Sequence, residues 1–146
     1  PIAWAGIGYA AFSVAMAIMR LVGDGIVSRW NGQKVVVYGS LLGAFGLLLA
    51  VLTPWLVTAL IGFILLGIGA ANIVPILFSD GGRIPGVSPA VAIPAITTLG
   101  YAGQLAGPAA LGYIAQQSSL PVAIGITGIL LIFVALAYII KPSLKK

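Results

Sequence analysis

The chain has no cysteine and no histidine, and its 146 residues include only two carboxylates, Asp24 and Asp80. Without Cys there is no disulfide framework, thiol nucleophile or zinc cluster. Without His the commonest metal ligand and neutral-pH base is missing. A hydrolytic pair of acids would require Asp24 and Asp80 to meet, so no metal site, no cofactor and no enzyme activity is expected. Charge is scarce throughout: 6% of residues are charged and 61% hydrophobic, where ordinary globular domains carry roughly 25% and 45–50%. Seven bases and two acids cannot cover the surface of a water-soluble fold of this size. The composition therefore excludes a soluble enzyme domain, a nucleic-acid-binding module and a disordered tail. With a mean hydropathy of +1.20 it reads as an integral membrane protein whose first partner is the lipid bilayer. The chain opens at Pro1 with neither Met nor a charged leader, so it reads as a piece of something longer.

The few charges are informative by their spacing. Residues 1–19 carry none, and then come Arg20, Asp24, Arg29 and Lys34. Residues 35–79 form an uncharged run of 45, Asp80 and Arg83 interrupt, and residues 84–140 form another of 57 before Lys141, Lys145 and Lys146. A spanning helix needs roughly 20 apolar residues, so the first stretch holds one span and each long run holds two. Turns are visible at Thr53-Pro54-Trp55 and from Gln116 to Pro121. The spacing predicts an all-α, polytopic transmembrane bundle of five spans, at about 2–22, 34–52, 55–78, 89–115 and 120–140. A β-barrel would need alternating polar residues for its lumen, and Leu47-Leu48-Leu49-Ala50-Val51-Leu52 does not alternate. Two hairpins return every charged segment to one face of the bilayer. Lys and Arg concentrate in cytoplasmic loops, so the segment begins outside and its carboxyl end lies inside an inner or plasma membrane. Lys141, Lys145 and Lys146 are read as topology and lipid-headgroup contacts, and Arg83 with Asp80 as a local loop pair.

Twenty glycines fit helices that associate through small residues, since burying Leu against Leu gains little in lipid. Gly62, Gly67 and Gly69 of the third helix and Gly100, Gly103, Gly107 and Gly112 of the fourth are the clearest sets. Close packing and hinge roles both stay open. Polar side chains within spans face the protein interior or a water-filled cavity. Thr97, Tyr101 and Gln104 stand at i, i+4 and i+7 of the fourth helix, and Tyr9 and Ser13 share a face of the first. Asn72 lies in the third, ahead of a kink expected at Pro75, where a backbone hydrogen bond is lost. Tyr9, Ser13, Asn72, Tyr101 and Gln104 are the candidate solute contacts. Their alternative is a hydrogen bond to a neighbouring helix. No acid or base sits near the middle of any span, so an ion-coupling group would lie elsewhere in the protein.

The stretch from Arg20 to Lys34, containing Gly23-Asp24-Gly25-Ile26-Val27-Ser28-Arg29, resembles the loop that the major facilitator superfamily carries after the second helix of each half, G-x-x-x-D-R-x-G-R-R. Gly25 matches its first Gly, and Arg29 stands one place before its first Arg, at the position of the pattern's Asp. Asp24, about one turn earlier, is positioned to supply the acid. The stretch from Gly67 to Tyr113, with Asn72-Ile73-Val74-Pro75, Gly82-Arg83-Ile84-Pro85-Gly86 and Gly107-Pro108, is similar to the tenth and eleventh helices of that superfamily, nearest its YbjJ-like, fucose-permease-like branch. The resemblance implies helices eight to twelve of a twelve-helix transporter that moves a small solute by alternating access, with the amino-terminal half of the same chain as partner. It also implies a gating latch at Arg20, Asp24 and Arg29, in which Asp24 pairs with Arg20 or Arg29 and faces the start of the fourth helix. Two rivals from other classes are a membrane-embedded enzyme and a non-transporting channel or scaffold subunit. The first needs a catalytic cluster and the second polar pore rings or a re-entrant filter, and neither pattern is apparent.

Overall fold

The computed structural model describes residues 2–141, so Lys145 and Lys146 lie outside the described residues. Helix dominates, and among the described residues there is no strand. The elements are α1 (Ile2–Trp30), α2 (Gly32–Leu52), α3 (Leu56–Ala70), α4 (Ile73–Gly81), α5 (Pro89–Gln117) and α6 (Leu120–Ile140). Four helical stretches are long and apolar enough to cross a membrane: Gly6–Trp30, Gly32–Leu52, Leu56–Gly81 (α3 with α4) and Leu120–Ile140. The chain is a multi-pass membrane protein. The fourth expected span, 89–115, forms as the 29-residue α5 but is not among those four. Thr97, Thr98, Tyr101 and Gln104 dilute its apolar character.

The boundaries follow local chemistry. The first helix was expected to end near residue 22, yet α1 runs on through Asp24 and Arg29 to Trp30. Charge marks contact with water but does not break a helix, and no proline intervenes. The whole link to α2 is Asn31, at a positive φ of 73° that asparagine tolerates better than most residues. Its side chain caps α2 by accepting from the Gln33 N–H at 3.1 Å. Pro54 closes α2, because the residue before a proline is pushed to extended backbone, as Thr53 is. The Thr53 hydroxyl turns back to the Leu49 carbonyl at 2.6 Å. Pro89 begins α5 at a position where its missing N–H costs nothing.

The chain divides into two compact units, one of residues up to Ile73 together with the chain from Ile124, the other Val74–Ala123. In the first, α2 and α3 cross at two points where both backbones carry glycine. A methyl group on Gly39 or Gly69 would land on the other's carbonyl oxygen, and the same holds for Gly46 and Gly62. Gly67, on another side of α3, lies against the α1 backbone, where its Cβ would meet Ala15 Cβ and Met16 N at 3.1 Å. Helix α6 joins through Leu131, whose side chain reaches Gly43 of α2. Buried Val36, Ser40, Ala44 and Leu47 line the α2 side of this core. In the second unit Gly81 of α4 leaves room for the Ile96 side chain of α5.

Candidate functional site

Because α1 is continuous, steps of four, seven and four residues carry Tyr9, Ser13, Arg20 and Asp24 along one face. Tyr9 is 72% exposed, its ring tilted against Phe12 with centroids 6.3 Å apart. Ser13 is half-buried, while Asp24 and Arg29 are exposed. Arg20, Asp24 and Arg29, read as a loop, therefore stand on a helix.

That helix meets the break in the third span. Pro75 has no N–H, so the carbonyl four residues earlier, Ala71, loses its helical donor. Ala71 keeps helical angles (φ −55°, ψ −41°), so at that residue the backbone holds its course where α3 ends. The expected kink at Pro75 thus appears as an interruption at Ala71–Asn72, four residues upstream, where the missing bond would have ended. Ala71 is fully buried. An unpaired carbonyl there would be costly in an apolar surrounding, and Arg20 answers it: its Nε–H donates to the Ala71 oxygen at 3.3 Å. Three residues along α1, Gly23 leaves the space that the Asn72 amide occupies, and any Cβ at Gly23 would collide with it.

Two expectations change accordingly. Asn72, expected to face solute, is 7% exposed and packs against Gly23, because a glycine there admits its amide. Asp24, expected to pair with Arg20 or Arg29, has no ion pair among the described residues. An exposed Asp–Arg pair is worth little, whereas the carbonyl that Arg20 engages is buried.

In the second unit, Tyr101 is 64% exposed and Gln104 is exposed as well. Pro108, four residues on, denies the Gln104 carbonyl its usual donor, so side chain and backbone both present polarity at that level of α5. Thr97, from the same stripe, is satisfied within the helix: its hydroxyl donates to Ile93 at 2.9 Å, as Thr98 does to Pro94 at 2.8 Å. Arg83 directs its guanidinium to the Ser79 hydroxyl at 2.7 Å.

Two features of the first unit were not foreseen. Gln33 donates to the Tyr138 and Lys141 carbonyls at 2.6 and 3.2 Å, tying the α1–α2 link to the end of α6, where the Lys141 ammonium sits 4.8 Å from the Tyr138 ring. A glutamine just inside a helix cap was the one available signal. The other is a cleft of about 400 Å³ lined by Trp4, Thr53, Pro54, Trp55, Leu56 and Ala59, which no spacing in the sequence indicated.

Comparison with known proteins bears on what such an arrangement serves. The chain is 50% identical to an uncharacterized MFS-type transporter of Yersinia pestis over 131 residues, 90% of its length. It is 34% identical to an uncharacterized transporter of Sinorhizobium fredii over 97% of its length, and 33% identical to the membrane protein MosC of Rhizobium meliloti over 92%. Two of the three are named transporters. The MFS name agrees with the resemblance carried by residues 20–34 and 67–113. The chain spans about a third of the length of these curated relatives, 34%, 37% and 31% respectively. No family model matches it, and no solved structure does.

Proposed function

We propose that the chain is part of the carboxy-terminal half of a major facilitator transporter, helices eight to twelve of twelve in the YbjJ-like, fucose-permease-like branch, which moves a small solute across the inner membrane by alternating access. The observation that carries this reading is the 50% identity to an MFS-type transporter over nine-tenths of the chain. Five spans then cross the bilayer, with the carboxyl end cytoplasmic. Helix α5 is the fourth of them: at 1.5 Å per residue its 29 residues reach about 43 Å, more than a hydrocarbon core of about 30 Å. Its polar residues are the cost of facing a solute path rather than lipid. Tyr9 and Ser13 on α1 and Tyr101 and Gln104 on α5 contact the solute, while Asn72 serves the α1 contact. Arg20, Asp24 and Arg29 govern gating at the cytoplasmic side, and no covalent chemistry is involved.

The test is uptake by the full-length protein reconstituted in vesicles. Gln104→Leu is expected to lower transport at least tenfold, about the worth of one well-made polar contact, with membrane insertion unchanged. Uptake equal to the parent's, measured with a solute the parent carries, would remove Gln104 from the path.

A further inference from the structure

We infer that Arg20 and Pro75 form a matched pair: the proline removes one backbone hydrogen bond from the third span, and the arginine of α1 replaces it from outside, making the Ala71–Asn72 junction a joint that opens when Arg20 lets go.

Three observations carry this. The Ala71 carbonyl is buried, has lost its helical donor to Pro75, and receives one from Arg20 Nε. Ala71 and Asn72 form a turn between α3 and α4 although Ala71 itself keeps helical angles, so the backbone there has given up a helical hydrogen bond with little departure from helix at Ala71. At that turn the replacement bond from Arg20 is what holds the Ala71 carbonyl. Lastly, Gly23 brings α1 within reach of Asn72, so one stripe of α1 engages both residues of the junction. At 3.3 Å the bond is long for an N–H donor, whose usual distance is about 2.9–3.0 Å. Sliding α1 away exposes the carbonyl and frees the joint. Pushing α1 back recloses it. Arg20 then acts through α3 as a positioning residue, and its worth depends on proline at position 75.

That dependence is the test. In the full-length protein in lipid nanodiscs, amide hydrogen exchange is followed at residues 73, 74, 76 and 77 for the parent, Arg20→Met, Pro75→Ala and the double variant. Methionine keeps the long stem and removes the donor. Arg20→Met is expected to speed exchange about tenfold, the effect of one lost charge-assisted hydrogen bond. Pro75→Ala restores an N–H for Ala71, so in the double variant exchange returns to that of Pro75→Ala alone. Equal acceleration with and without Pro75→Ala would overturn the pairing. So would an Asp24→Asn variant that reproduces Arg20→Met, since Arg20 would then be acting through the carboxylate. If Arg20→Met fails to accumulate, the double variant decides: accumulation at the level of Pro75→Ala supports the pair, and its failure sinks it. The readout needs no solute, so it stands or falls separately from transport.

Discussion

Helices α3 and α5 are both rich in glycine, and proline removes backbone hydrogen bonds at the end of one and within the other, yet they use these residues in opposite ways. On α3, Gly62 and Gly69 lie under the α2 backbone and Gly67 under the α1 backbone, leaving no room for a methyl group. On α5, Gly100, Gly103, Gly107 and Gly112 have nothing within 4 Å of where a Cβ would stand. The prolines divide similarly: the carbonyl that Pro75 deprives is answered by Arg20 from another helix, whereas Pro94 and Pro108 lie in a helix of which only Ala92 is buried. Glycine content therefore states that a backbone approach is possible. Whether one occurs depends on what the rest of the molecule brings alongside.

Three substitutions break or sharpen this contrast. The largest effect is expected from Gly69→Val, whose side chain would collide with the Gly39 carbonyl and the Gly43 nitrogen. Overpacking of this kind costs about 1–3 kcal/mol or more, and thermal unfolding of the purified protein should show a clear loss of folded material. A variant as stable as the parent would dissolve the α2–α3 crossing. The second is Gly103→Ala on α5. With open space around it, alanine should stabilise the helix by up to about 1 kcal/mol through propensity alone. Destabilisation in the full-length protein would mean that another part of that protein covers this face, and the contrast would then concern this segment only. The smallest effect is Thr97→Val, expected within about 0.5 kcal/mol because its hydroxyl only bonds its own helix. A larger change in unfolding would assign Thr97 to a helix contact, and lost transport at unchanged stability would place it on the solute path.

Much of the architecture was legible from the chain. The charge-free runs located the helices, and α2, α5 and α6 begin and end within two residues of expectation, because an apolar run long enough to span lipid has few other ways to satisfy its backbone. The end of α1 was misjudged, since Arg20 to Arg29 look like a loop when charge is taken as a boundary and prove helical. The site was less legible. Tyr9, Tyr101 and Gln104 are exposed on their helices, while Asn72 packs against Gly23. Arg20 left its expected acid for a carbonyl, since a freed backbone group is invisible until another helix is seen to reach it. Gly39 and Gly46 stand seven residues apart, as Gly62 and Gly69 do, and their role could have been read the same way.

By itself the sequence determined that this chain lives in a bilayer, that it is built of helices, and roughly where each begins, because the transfer of charged and apolar groups between water and lipid is a property of each residue and adds along the chain. The tertiary structure alone decided which glycines are filled, which side chain answers the carbonyl that Pro75 orphans, and which polar groups face inward. Those outcomes rest on how the helices are rotated about their axes and on separations of a few tenths of an ångström, and no sum over single residues contains either.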